Sequence, residues 1–218
     1  MRVTIVNLFY PPDLAPSGHL SASLAEHRAR VGDEVTVICG TGSYLGGSKD
    51  AQRRRRVGRS DASGAPRVIR LWTPSLGKAS TARRLGDYVS FLLSAVARLA
   101  FLPRQDVVIA LTSPPYILLA AVAHRLLHPG TKVILWSHDV YPDAAEAFGT
   151  IRPAGLLSRA LRAANRWLLL HVDHVVAVDS AMLQRILSRY AAGGDLAGSV
   201  IPTWEPVALF PAEHSQVR

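Results

Sequence analysis

The sequence predicts an α/β domain, doubly wound around a mainly parallel sheet of seven strands between helical layers. Two observations carry this expectation. Short apolar, β-branched runs alternate with longer stretches of helical spacing along the whole chain, the pattern of strand–helix–strand units. Several of the apolar runs are continuous, without polar alternation, as in strands covered on both faces.

Taken in order, residues 2–7 read as the first strand. Residues 19–31 have helical spacing, with Leu20, Leu24 and Val31 among the apolar positions. Val35-Thr36-Val37-Ile38-Cys39 is the second strand. Residues 40–66 are rich in Gly, Ser and Arg and read as a long loop. Within it, residues 46–64 join Gly46, Gly47, Ser48, Lys49 and Arg53 through Arg56 with almost no apolar anchor. They are expected to be poorly ordered, because little burial offsets the entropy of ordering. Residues 68–72 are the third strand and 82–101 a long helix. Residues 107–111 form a strand, followed by the turn Thr112-Ser113-Pro114-Pro115 and a helix to about His128. Residues 133–136 are the next strand, and a helix runs from about 154 to 170. Residues 175–178 are a strand, with Asp179-Ser180 capping a helix to Tyr190, and Val200-Ile201 is a short last strand. No internal repeat is present.

The chain has 218 residues, 49% hydrophobic and 19% charged, enough for one large domain with its own core. No run reaches the roughly 18–20 apolar residues of a spanning helix. The first residues lack the charged head and long apolar centre of a secretory signal. The single cysteine, Cys39, excludes an internal disulfide and fits a reducing cytosol; within its apolar run it reads as buried filler. The net charge of +9 and the pI of about 10.4 favour an anionic partner without choosing one. Arg53 through Arg56, Arg59, Arg67 and Arg70 concentrate that charge, and a solvated loop is the plain reading. The run has no interleaved aromatic residues to stack bases, which disfavours nucleic acid.

Ligands of open parallel sheets bind beyond the carboxyl ends of the strands. After the first strand comes Phe9-Tyr10-Pro11-Pro12-Asp13-Leu14-Ala15-Pro16-Ser17-Gly18-His19. This is not a G-x-G-x-x-G fingerprint, so a nicotinamide enzyme is disfavoured. Gly18 stands near a helix start, where a missing side chain lets a phosphate approach backbone N–H groups; a simple turn glycine is the alternative. After the fifth strand comes Ser137-His138-Asp139-Val140-Tyr141-Pro142-Asp143. A carboxylate there can orient a sugar hydroxyl, and an imidazole can donate to a phosphate or sugar oxygen. The plain alternative is Asp139 capping its turn and His138 as a surface residue. No Cys/His cluster has zinc spacing, no Gly-Lys-Ser or Gly-Lys-Thr phosphate loop occurs, and no G-x-S-x-G elbow is present.

Four stretches then take on a joint meaning. They are Tyr10-Pro11-Pro12-Asp13 with Gly18 and the later Gly32-Asp33-Glu34-Val35-Thr36-Val37; Asp106 to Ala110 with Thr112-Ser113-Pro114-Pro115; Asp139-Val140-Tyr141-Pro142-Asp143-Ala144-Ala145; and Val200-Ile201-Pro202-Thr203-Trp204. In order and spacing they resemble the N-terminal lobe of family 4 glycosyltransferases of the GT-B fold, especially those building bacterial cell-surface polysaccharides. Compare "RGHEVTV", "DLWPESA" and "VIPNW" in that family. The resemblance implies a Rossmann-like lobe over residues 1–201, with residues 202–218 starting the linker to a C-terminal donor-binding lobe. It implies transfer with retention from a nucleotide-sugar co-substrate, without a tightly bound cofactor or metal. It assigns catalytic roles to Asp139 and His138, the donor diphosphate to Gly18, and the acceptor side to Tyr10, Asp13, His19, Ser113 and Asp143. Pro16 stands where the family loop often has a first glycine, and Thr203 replaces the usual asparagine. Residues 1–218 alone are expected to be inactive and to need a C-terminal lobe, in cis or on a partner chain. Two alternatives stay open: a non-catalytic membrane-anchoring or binding subunit that recruits a catalytic chain, and a related two-lobed sugar-nucleotide epimerase.

The helix within Ala82–Arg104 has more apolar surface than one packed stripe needs. Leu85, Tyr88, Leu92, Val96 and Leu99 form a stripe expected to face the sheet. Phe91, Ala95 and Leu102, lying off it, are expected to face outward. With Arg83, Arg84 and Arg104 at its ends, the helix suits the surface of an anionic membrane. The resemblance adds a lipid-linked or glycan acceptor, and a cytoplasmic location peripheral to the inner membrane face.

Overall fold

A computed structural model describes residues 1–41, 64–74, 80–191 and 195–204. Of the expected disordered segment 46–64 only Gly64 is described, and of the expected linker 202–218 only residues 202–204, so both expectations fall almost entirely outside the described residues. The strands are β1 Arg2–Val6, β2 Glu34–Gly40, β3 Arg67–Leu71, β4 Val107–Leu111, β5 Lys132–Ser137, β6 His174–Ala177 and β7 Ala197–Val200. The helices are α1 Pro16–Arg30, α2 Thr81–Ala100, α3 Leu118–Leu127, α4 Asp143–Ala147, α5 Leu156–Leu169 and α6 Ser180–Tyr190.

All seven strands form one sheet in the order β3-β2-β1-β4-β5-β6-β7, and every neighbouring pair is parallel. The order reverses between β1 and β4, which creates a crevice at their carboxyl ends. β1, β2, β4 and β5 are the continuous apolar runs, and they occupy the middle of the sheet.

Local chemistry sets three of the helix starts. The carboxylate of Asp179 accepts from Met182 N–H at 2.7 Å and caps α6, as the sequence leads one to expect. Ser80 caps α2 in the same way, accepting from Arg83 N–H at 3.3 Å. α1 starts at Pro16 rather than residue 19, because proline in the first turn needs no N–H and has a helical φ. β7 lies three residues before its expected start. Ala197, Gly198 and Ser199 have little strand preference of their own, and pairing with β6 fixes them. The five-residue α4 is too short to show a helical period in the sequence.

Each face of the sheet has its own core. On one, α1 covers Val3, Ile5, Val35, Val37 and Cys39. On the other, α2, α3, α5 and α6 cover Val6, Ile38, Val108, Ala110, Val133, Leu135 and Val175. Cys39 is buried, as expected of a filler. No helix among the described residues is long and apolar enough to cross a membrane.

α2 corrects the expected orientation. Phe91, Ala95, Leu99 and Leu102 are buried in the core, where α2 packs chiefly against α3, with Tyr88, Leu92 and Val96 partly buried beside them. Leu85 (59% exposed) and Leu93 (63%) face outward together with Val89. The apolar arc of α2 is wider than its contact, and Phe91 is the largest of its side chains to be fully buried. Phe91, Ala95 and Leu102 are therefore core, and the outward apolar surface belongs to Leu85, Val89 and Leu93.

Candidate functional site

Three loops meet at the carboxyl edge: those following β1, β4 and β5. Each contains a cis peptide, at Pro11–Pro12, Ser113–Pro114 and Tyr141–Pro142. Backbone bonds tie them together. Leu8 N–H donates to Ser113 carbonyl at 2.7 Å, and His138 N–H donates to Thr112 Oγ1 at 3.1 Å. Behind them, α5 buttresses the β5 loop. Asn165 Nδ2 donates to the Tyr141 carbonyl at 3.0 Å, and Tyr116 Oη donates to the Leu161 carbonyl at 3.3 Å.

Strand alternation then places β5-loop side chains. Trp136 is buried on the α1 face, and the His138 ring sits on it with centroids 5.4 Å apart. Neither ring nitrogen of His138 makes a well-directed hydrogen bond, although the Trp136 backbone lies near enough to favour the protonated ring; Trp136 Nε1 and Asn7 Oδ1 are likewise buried without a partner. Burial holds the His138 imidazole below its ordinary proton affinity; the nearby Trp136 backbone and the Asp139 carboxylate pull the other way and do not prevail. The ring is therefore neutral at neutral pH and can accept a proton or donate one. Asp139 is exposed. Its backbone carbonyl accepts from Ser137 Oγ at 3.0 Å, and its carboxylate has no hydrogen bond or ion pair among the described residues. The turn is thus fastened by the backbone, leaving the carboxylate open to the crevice.

The other expected positions have different surroundings. Ser113 is half-buried and joins the β1 and β4 loops through its carbonyl. Gly18 is buried, and its N–H donates to Ala15 carbonyl at 2.9 Å. A Cβ there would stand 3.3 Å from Phe9 C and Tyr10 N, so this glycine lets α1 approach the β1 loop closely. Asp13 is buried, and its N–H donates to Tyr10 carbonyl at 3.1 Å. Tyr10 lies in the core beneath α1, where burial and, next, Glu26 push its hydroxyl up to about 12. His19 is half-buried on the first turn of α1. Asp143 (8% exposed) is enclosed: Tyr190 Oη donates to it at 2.6 Å, and Arg162, Arg185 and Arg189 lie at 3.3–3.5 Å. Arg162 also pairs with Glu146, which accepts from Ser158. Asp139, His138 and Ser113 therefore share the crevice edge, whereas Asp143 belongs to the joint between α4, α5 and α6.

The sequence suggested no site role for Asn7, Trp136 or Trp204, although Trp204 closes the fourth motif. Asn7 ends β1, with Nδ2 donating to Phe9 carbonyl at 2.7 Å; a polar residue closing an apolar strand was its signal. A partly open pocket beside Asp139, Tyr141 and Thr112 measures about 40 Å³, room for a water or two.

A family model described as "Glycosyl transferase 4-like domain" matches residues 18–197. A search of curated proteins finds no significant match.

Proposed function

This chain belongs to the glycosyl transferase 4-like domain family, and on that premise we propose that it forms the acceptor-side lobe of a retaining, nucleotide-sugar-dependent glycosyltransferase. The observation that carries this is the pair at the end of β5: an exposed, unpaired Asp139 carboxylate beside a neutral His138 ring whose two nitrogens make no well-directed hydrogen bond. Asp139 holds a hydroxyl of the acceptor or donor sugar in line, and His138 exchanges a hydrogen bond with the reacting sugar or its phosphate. The donor, a nucleotide sugar, is held mainly by a C-terminal lobe in cis or on a partner chain. At Gly18, whose own N–H is engaged, the diphosphate would have only close backbone approach to exploit. Tyr10, Asp13, His19 and Asp143 shape the acceptor side by fixing its loops. The reading requires no resident metal or other cofactor.

The acceptor we favour is lipid-linked, at the cytoplasmic face of an anionic membrane. Leu85, Val89 and Leu93 stand exposed on α2, with Arg83 and Arg84 at its first turn. Exposed Phe148, Leu156 and Leu157, with Arg152 and Arg159, follow on the α4–α5 segment. Apolar residues among arginines suit an anionic interface. The same surface favours the second reading, a non-catalytic anchoring subunit.

The test is transfer by the protein that carries this lobe together with its donor lobe. Asp139→Asn and His138→Ala should each lower kcat at least about 100-fold, the scale of lost alignment, with melting unchanged. Near-normal turnover in both folded variants would remove the pair from the site, and absence of transfer by the unaltered protein would leave the anchoring reading.

A further inference from the structure

Trp204 lies four residues beyond the end of β7, where the chain leaves the sheet. It does not stay on the α6 side. Its indole N–H donates to Ser23 Oγ of α1 at 3.3 Å, and its ring joins the α1-side core. There it stacks on Trp136, with centroids 5.5 Å apart and planes 19° apart. Trp136 in turn carries the His138 ring. Trp204, Trp136 and His138 thus form a row of three rings from the chain's exit to the crevice, with Trp136 in the middle and only 4% exposed.

The row explains an otherwise costly arrangement. Buried polar atoms without partners are destabilising, yet Trp136 Nε1 has none and neither His138 nitrogen makes a well-directed hydrogen bond. The rings exclude water from one another, and Trp204 closes the row at the end nearest α1. We propose that Trp204 is a positioning residue: by holding Trp136 it keeps the His138 ring dehydrated and correctly placed. The lowered proton affinity of His138, caused first by burial, agrees with this. Asp139 is the charged group acting on the ring and favours protonation. Thr112 from β4, Trp136 from β5 and the Trp204–Ser23 pair are uncharged.

This inference adds to the function proposed for His138 but is tested apart from it, by NMR titration of the histidine rings in residues 1–218. In Trp204→Ala, water reaches the row, and the His138 pKa should shift upward toward that of free histidine while the other histidines stay put. Trp204→Phe keeps a ring and should restore the original titration; Ser23→Ala, which removes only the indole's acceptor, should shift it less than Trp204→Ala. Should Trp204→Ala fold poorly, Trp204→Leu keeps apolar volume without the stacked ring and should show the same upward shift. An unchanged His138 titration in folded Trp204→Ala, or in Trp204→Leu, overturns the inference. Loss of turnover in His138→Ala alongside that unchanged titration would keep the catalytic reading and remove Trp204 from it. A shifted titration with normal turnover in His138→Ala would do the reverse.

Discussion

Asp139 and Asp143 stand four residues apart in the chain and in opposite surroundings. Asp139 is exposed and unpaired, so Asp139→Asn should change unfolding free energy by no more than about 0.5 kcal/mol while lowering turnover. Asp143 is buried against Tyr190 and Arg162. Asp143→Asn should cost about 1–3 kcal/mol in urea denaturation, the range for a lost buried charge-assisted bond. It stays below the extreme for buried pairs because Arg185 and Arg189 are partly solvated. Unchanged stability with lost acceptor affinity would return Asp143 to direct acceptor binding. His124 shows how burial reaches pH dependence. It is fully buried; one ring nitrogen pairs with Leu99 carbonyl at 2.8 Å, and Nε2 accepts from Gln105 N–H at 3.3 Å. Desolvation lowers its proton affinity, as it does that of His138. The unfolded chain therefore binds protons near pH 6.5 that the folded chain refuses. This stability is fully present above the unfolded value and declines as pH falls through it toward the folded pKa. The urea midpoint should drop between about pH 7.5 and pH 5.5; a flat profile would mean these rings protonate freely in the fold. The carboxylates of Asp33, Glu146 and Asp173, held low by their partners, add their own loss only in the acid range below that window.

At the scale of elements, α2 separates two uses of apolar side chains. Phe91→Ala should cost about 3–5 kcal/mol, because a fully buried ring leaves a cavity. Leu93→Ala, at an exposed position, should stay within about 0.5 kcal/mol. If the outward arc meets a membrane, the triple change Leu85→Ser, Val89→Ser and Leu93→Ser should weaken co-sedimentation with anionic vesicles without moving Tm. Equal sedimentation of the variant would remove α2 from any membrane contact. α1 meets a tighter limit. Gly18→Ala pushes a Cβ onto the β1-loop backbone at 3.3 Å and should cost about 1–3 kcal/mol, as overpacking does. A stable Gly18→Ala protein with weakened donor binding would instead assign the glycine to the diphosphate.

For the whole molecule, the pocket beside Asp139 measures about 40 Å³ and a larger one of about 440 Å³ lies apart, beside Tyr10, Glu26 and Arg70; the proposed donor site therefore draws on a second lobe. Residues 1–218 alone should bind sugar nucleotides weakly and show no transfer. Calorimetric titration checks this, and micromolar donor affinity without a second lobe would show that the donor site is divided differently.

What the sequence determined by itself was the periodic part. Continuous runs such as Val35 to Cys39 and Val107 to Leu111 specify doubly covered strands, and Asp179 and the first-turn Pro16 set helix starts through their own backbone chemistry. The place of His138 and Asp139 at the crevice edge was legible because they follow a strand end, where ligands of such sheets bind. The tertiary structure decided which arc of α2 is buried, since an arc wider than its contact leaves orientation to the competition among side chains, and Phe91 wins it. It decided that Asp143 is enclosed, because the arginines around it come from α5 and α6, 19 to 46 residues away. It also decided that Trp204 stacks on Trp136: stacking is a contact across 68 residues, and no local period records a partner that only the crossing of the chain brings near.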